Sequence, residues 1–287
     1  MIPAAFEYFS PQSVKEAIGL LEKHGDDAKI LAGGHSLLPI MKLRLAQPKV
    51  IVDIGRISGL SGIKADGQKV AIGALTTHDA IERDAVLKEK CPLLAETAAV
   101  IGDMQVRNRG TIGGSAAHAD PAADYPAALL ALGAEIVAIG PKGTRTIPAG
   151  EFFVEMLTTA LKPTEIITEL RVPVLARGTG AAYQKHPHPA SGYAVVGVAA
   201  VVTMSGGKCQ SAAIGVTGVA GKPYRATAVE KALIGQSLDE TTAAKAAAHA
   251  AEGVDPQGDL YASGQFRAHL ASVYTKRAVL LAASRAK

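Results

Sequence analysis

A chain of 287 residues that is 48% hydrophobic and 20% charged can build one large domain or two to three smaller ones, and is not a disordered segment. Its net charge of +4 comes from 30 Lys and Arg against 26 Asp and Glu, scattered with no basic stripe or aromatic platform, so no nucleic-acid partner is expected. Only two cysteines occur, Cys91 and Cys209, far apart and without CxxC spacing, which excludes a cysteine-built iron–sulfur or zinc site and fits a reducing compartment.

The opening MIPAAFEYFSP carries Glu7 and has no basic segment ahead of an apolar run, so it does not read as a signal peptide. The longest apolar stretch, Ala194 to Val202, falls far short of the ~20 residues that span a bilayer. A cytoplasmic location is expected. The first sixty residues then read strand, helix, strand, glycine loop, helix, strand. Ser10-Pro11 precedes a helix over Val14 to Lys23, and Lys29-Ile30-Leu31 is a short strand leading into Ala32-Gly33-Gly34-His35-Ser36. A second helix carries Leu37 through Leu45, and Val50 to Asp53 is a strand. This is a small α/β unit.

Lys69 to Ile72 reads as a strand, with helices over Thr77 to Arg83 and Leu93 to Ile101. Gly110 to Gly114 reads as a glycine-rich turn, and Asp120-Pro121 as the opening of a helix that runs through Leu132. Ala134 to Ile139 and Glu165 to Val172 are strands, and Arg177 to Gly192, with Pro187 and Pro189, reads as loop-rich. Ala194 to Met204 and Lys208 to Val216 form a hairpin about Gly206-Gly207. Helices follow over 226–234, 241–251 and 265–283. The fold class expected is α+β, divided into 1–56, 57–176 and a C-terminal sheet-and-helix domain over 177–287.

Chemistry concentrates in two segments, Ala32 to Ser36 and Thr111 to Ser115. Paired glycines let a backbone approach a ligand closely, and consecutive amides in such a turn make a concave donor site for anions. The first segment also delivers its amides to a helix N-terminus, and Ser36 and Thr111 can add hydroxyls. Glycine pairs make ordinary turns as well, and neither GxxxxGK[ST] nor GxGxxG occurs. The residues alone therefore leave phosphate loop and plain turn both open.

AGGHSLLPIMKLRLAQP at 32–48 and RNRGTIGGSAAHADPAAD at 107–124 resemble the FAD-binding medium subunits of molybdenum hydroxylases, which share the flavin fold of vanillyl alcohol oxidase type. LKPTEIITELRVPV at 161–174 and SGYAVVGVAAVVTMSGGKC at 191–209 extend the similarity along the chain, with AGGHSLLPIMKLRLA and TMSGGKC most like the carbon monoxide dehydrogenase branch. The resemblance implies that FAD lies between the first two regions. It gives the pyrophosphate to Ala32, Gly33, Gly34, His35 and Ser36 together with Thr111, Ile112, Gly113, Gly114 and Ser115. It sets Asp124 on the ribityl chain, Leu161 against the isoalloxazine, Lys185 near the pyrimidine edge, and Tyr193 beside the ring. Many relatives have TIGGN, so Ser115 is a departure that loses the reach of an amide side chain.

The same resemblance implies a division of labour. A large subunit oxidises substrate at a molybdenum–pterin centre, and a small subunit passes the electrons through two 2Fe-2S clusters to FAD on this chain. Quinone or another external acceptor then takes them. A dimer of heterotrimers is expected, with peripheral contact at the inner face of the membrane allowed. The branch fixes substrate only by likeness, so an N-heteroaromatic, aldehyde or xanthine-type hydroxylase stands as the alternative. A non-redox nucleotide-binding assembly module is the alternative of another class. His118, Asp120 and Asp124 are read as helix-capping neighbours rather than a metal site, and no catalytic residue beyond the flavin is expected. His186 and His188 read as solvated, and Arg107 and Arg109 as facing either a partner or the adenine end.

Overall fold

A computed structural model describes residues 1–286. Three short strands, β1 (Glu7–Phe9), β2 (Ala28–Leu31) and β3 (Val50–Asp53), form a parallel sheet with β3 in the centre. Ser13 caps α1 (Val14–His24) by accepting the Glu16 amide, and Ala17, Ile18 and Leu21 bury with Val50 and Val52 of the sheet. The helix after the first glycine segment, α2 (Leu37–Lys42), stops before the expected Leu45, because Arg44 turns to a φ of 59°.

The second sheet is antiparallel: β4 (Ile63–Asp66), β5 (Lys69–Gly73), β10 (Ile166–Pro173), β6 (Glu135–Gly140) and β7 (Gly143–Pro148), in that order across it. Between β5 and β6 lie α3 (His78–Arg83), α4 (Ala85–Lys90), α5 (Pro92–Ala99), α6 (Met104–Arg107), α7 (Ile112–His118) and α8 (Tyr125–Leu132). After β7 come α9 (Ala149–Phe152) and the small pair β8 (Phe153–Glu155) and β9 (Thr158–Thr159). Every residue of α8 is buried, so this helix is the floor on which the second region and the C-terminal sheet meet.

That last sheet is β11 (Thr179–Pro187), β12 (Ala194–Ser205), β13 (Lys208–Thr217) and β14 (Tyr224–Arg225), all antiparallel. Its two faces serve different cores. Ala181, Tyr183 and Ala199 bury with α5 and α8, while Ala182, Val198 and Ala200 bury with α12 (Gly264–Arg285) on the other side. α10 (Thr227–Leu233) and α11 (Glu240–Ala247) complete that second layer.

The architecture is the expected α+β, with three local corrections. The stretch read as loop holds the nine-residue strand β11. Its proline signal misled because β11 is an edge strand and Pro187 ends it, where no ladder donor is required. The helix expected from Asp120 begins at Tyr125. Asp120 instead accepts the Ala122 amide at 2.8 Å and holds 120–124 as a turn. The segment read as a turn at 110–114 is the first turn of α7, capped by Thr111, whose hydroxyl accepts the Gly114 amide at 3.1 Å.

Candidate cofactor site

A cavity of about 450 Å³ opens where the first two regions meet, a volume in the range of small-molecule and cofactor sites. Gly33, His35, Thr111, Gly114, Leu161 and Tyr193 are among its lining residues. Ala32, Gly34, Ser36, Gly113, Ser115 and Asp124 line it too, so twelve of the fourteen residues singled out from sequence face one space. Ile112 and Lys185 do not.

The first glycine segment links β2 to α2. Among the described residues, the amides of Gly33, Gly34, His35 and Ser36 meet no protein acceptor, and Gly34 sits at a φ of 79°, a conformation natural to glycine. These free donors suit an anionic ligand. α2 has only six residues, so the amides themselves, rather than a helix dipole, carry the attraction. His35 Nδ1 lies 3.1 Å from Gly33 O and steadies the turn.

Gly33 has a second duty. A Cβ there would stand 2.1 Å from Arg109 O and 2.8 Å from Gly110 Cα, so the first glycine segment lies on the bare backbone just ahead of the second. Around the second segment the amides are already occupied. Ile112 N donates to Thr76 O (3.1 Å), Gly113 N to Ala74 O (2.9 Å), Gly114 N to Thr111 Oγ1 (3.1 Å) and Ser115 N to Thr111 O (2.9 Å). The expected nest of free donors is absent here. Ile112 is fully buried in the core, since its side chain anchors α7. What the second segment offers the cavity is the Ser115 side chain, the Thr111 hydroxyl proton and a glycine surface.

Asp124 reaches the cavity from the turn before α8 and is 4% exposed. Its Oδ1 accepts from the Tyr183 hydroxyl at 2.7 Å, and its Oδ2 from Lys185 Nζ at 2.9 Å. Burial pushes its carboxyl up to about 6, against the opposing pull of the Lys185 cation and the Tyr183 hydrogen bond. Lys185 also donates to Val100 O at 2.9 Å. Its ammonium is thus engaged behind Asp124, and Lys185 does not itself line the cavity. Tyr193 arrives on the loop after β11, closed by the Tyr193 O to His188 N bond of 2.7 Å. Burial against the site and the nearby Asp120 carboxylate raise its hydroxyl's pKa.

His78 lines the same cavity and was not read from the sequence as a site residue. It is 5% exposed, its Nδ1 has no partner, and desolvation, aided by the nearby His35 and Arg107, lowers its pKa to about 4. A lone His at the start of a helix carried no signal that could separate it from a core histidine. Arg107 pairs with Glu82 at 2.8 Å and donates to Ile101 O and Gly102 O, so it braces the cavity wall. Among the described residues no cluster could hold a metal, and His118 approaches Asp120 only to 3.9 Å. His186 lies 3.3 Å from the Tyr274 hydroxyl, within the fold.

Free amides for a diphosphate, a buried carboxylate for sugar-like hydroxyls and apolar walls such as Ile101, Val106 and Leu161 for flat rings fit a flavin dinucleotide. Comparison with known proteins agrees. Residues 4–175 match the family described as the FAD binding domain in molybdopterin dehydrogenase, and residues 181–282 match the CO dehydrogenase flavoprotein C-terminal domain. The chain is 44% identical to the carbon monoxide dehydrogenase medium chain of Afipia carboxidovorans, covering 100% of both. It is 41% identical to the 6-hydroxypseudooxynicotine dehydrogenase complex subunit alpha of Paenarthrobacter nicotinovorans, over 100% of this chain and 97% of that one. It superposes on carbon monoxide dehydrogenase from Hydrogenophaga pseudoflava with a TM-score of 0.97 at 44% identity, covering 100% of both chains.

Proposed function

The chain belongs to the FAD-binding family of the molybdopterin dehydrogenases, and on that premise we propose that it is the medium subunit of a carbon monoxide dehydrogenase-type enzyme. The observation that carries the proposal is that both glycine segments and Asp124 line one cavity, in a chain similar to such medium chains from end to end.

In this reading the free amides of Gly33 to Ser36 hold the diphosphate, with Ala32 behind them and the Thr111 and Ser115 side chains opposite. Asp124 accepts hydrogen bonds from the ribityl hydroxyls. Leu161 and Tyr193 bound the ring on its apolar sides, and Tyr193, 39% exposed, leaves that end open to an electron donor or acceptor. Bound FAD supplies a site that takes electrons singly from two 2Fe-2S clusters of a small subunit and yields them to quinone or another external acceptor. Oxidation of CO with water to CO2 belongs to a large subunit carrying the molybdenum–pterin cofactor. The assembly is a dimer of heterotrimers in the cytoplasm, free to touch the inner face of the membrane. The chain divides into 1–56, 57–176 and 177–287, with the first two gripping the cofactor. Among the described residues no helix is long and apolar enough to cross a membrane.

A second reading, a subunit serving an N-heteroaromatic hydroxylase, is favoured by the 41% identity to the 6-hydroxypseudooxynicotine dehydrogenase subunit over the whole chain. Co-production with the large and small subunits, flavin release and dye-linked assay separate these readings. FAD at about one per chain with CO turnover supports the first. Turnover of a heteroaromatic without CO oxidation replaces it with the second. A complex that stays flavin-free after FAD is added leaves only a non-redox assembly module.

A further inference from the structure

The C-terminal sheet holds the turn that carries Asp124. Ala194 N donates to Ala122 O at 3.1 Å, and Gly218 N to Pro121 O at 2.7 Å. The Thr217 hydroxyl, fully buried, lies 2.7 Å from Pro121 O and 2.8 Å from Ala123 O and shares its proton between them. β11 then supplies both partners of the carboxylate itself. Alternation along that strand puts Ala181, Tyr183 and Lys185 on the face toward α8, so one strand delivers a hydroxyl to Oδ1 and an ammonium to Oδ2. A carboxylate has about four acceptor sites, so the remaining lone pairs stay available on the cavity side.

The path of the Tyr183 hydroxyl explains a residue that is otherwise out of place. β12 is a twelve-residue strand, Ala and Val from 194 to 202 apart from Gly197 in its interior, where glycine weakens a strand. Gly197 stands opposite Lys185, diagonal to Tyr183. A Cβ at Gly197 would lie 2.1 Å from the Tyr183 hydroxyl oxygen and 3.0 Å from Cζ. The bare backbone is the space through which the phenol passes to Asp124.

We infer that Tyr183 is a positioning residue for the cofactor site: passed across Gly197, its hydroxyl fixes Oδ1 of Asp124 and, with Lys185 on Oδ2, sets the direction in which the carboxylate faces the cavity. The inference rests on the FAD reading above and adds to it a dependence of cofactor binding on the C-terminal sheet. Around Asp124 the titratable groups are Tyr183 and Lys185 from β11, Tyr125 from α8 and Tyr193 from the loop after β11. Removing the Tyr183 hydroxyl deletes a bond to the charged form of Asp124, and the carboxyl then protonates at higher pH.

The test is FAD binding by the full chain in complex with its partner subunits, titrated across pH for the wild type, Tyr183→Phe and Gly197→Ala. Tyr183→Phe is expected to weaken FAD by roughly tenfold or more at pH 7, the usual effect of losing a hydrogen bond to a charged group. It is also expected to move the acid midpoint of FAD retention to higher pH. Gly197→Ala should do the same by displacing the phenol, and the double variant should bind FAD no worse than the weaker single one. A purely structural tyrosine would lower the melting temperature and leave the midpoint in place. A folded Tyr183→Phe complex with wild-type affinity and midpoint overturns the inference alone. A wild-type complex that binds no FAD at any pH overturns both it and the reading it rests on.

Discussion

The segments Ala32–Ser36 and Thr111–Ser115 share a Gly-Gly pair and a flanking hydroxyl, yet they fold to opposite ends. The first leaves the amides of Gly33 to Ser36 without acceptors and lets Gly34 take a positive φ. The second is a capped helix turn whose four amides from Ile112 to Ser115 all have protein partners. Even the reasons for their glycines differ. Gly33 is bare so that one segment can lie on the backbone just ahead of the other, whereas a Cβ on Gly113 would strike Ala74 at 2.6 Å, against the sheet. A glycine pair announces a close approach without saying to what. Here the first segment offers donors to a ligand, and the second builds the wall those donors face.

That contrast has a consequence for where damage shows. Changes around the second segment should cost stability in the flavin-free chain, and changes in the first should cost mainly flavin. The largest expected effect comes from His78, whose backbone amide donates to Gly110 O and whose ring lies against Gly110. Its folded pKa of about 4 lies below the ordinary 6.5, so the unfolded chain binds the extra proton between those values. Stability from this residue is full above pH 6.5 and lost as pH falls through about 4, a swing on the order of 3 kcal/mol. Asp124 works in the opposite sense, since a carboxyl raised to about 6 stabilises the fold below 3.8 and loses that contribution as pH rises through 6. The quantity to measure is therefore the difference in urea-unfolding free energy between wild type and His78→Phe from pH 4 to 7. A difference that is flat with pH breaks the assignment.

Gly113→Ala comes next. Overpacking of this kind costs about 2 kcal/mol, read as a lower melting temperature of the flavin-free chain. Thr111→Ala follows at about 1 kcal/mol, the usual loss when an N-cap hydroxyl is removed, since the Gly114 amide then has no side-chain acceptor. If either variant keeps wild-type stability and loses only flavin, the two segments are alike after all and the contrast fails.

Much of this was legible in the residues and some was not. The Ser10-Pro11 start marked α1, and the apolar run ahead of Gly206-Gly207 marked β12 and β13 as a hairpin, because these signals are local to the chain. The two glycine segments and the DPAAD stretch pointed to one place, and twelve of the fourteen residues line one cavity. Lys185 stands behind Asp124 and off the cavity wall, since likeness gives a position along a strand and not the partner across it. Its engagement with Asp124 depends on how β11 lies beside the turn before α8, a relation between residues 61 apart in the chain. Tyr183, Gly197 and His78 left no local trace for the same reason. The loop assigned to 177–192 failed on a local rule, two prolines, overridden by pairing with β12.

The smallest stability effect belongs to the first segment, and it is the sharpest test of the comparison. Ser36 stands at the start of α2, yet its side chain makes no capping bond, unlike Thr111 in the equivalent place. Ser36→Ala should therefore change the unfolding free energy of the flavin-free chain by less than about 0.5 kcal/mol, since its hydroxyl caps no helix and turns only toward the Tyr193 hydroxyl. The same variant removes one hydroxyl from the ring of donors around the cavity, so FAD dissociation from the assembled complex should accelerate severalfold. Equilibrium unfolding of the chain and stopped-flow flavin release from the complex measure the two halves separately. Loss of stability with unchanged release would mean that Ser36 caps α2 in solution and that the first segment, like the second, is built for the fold.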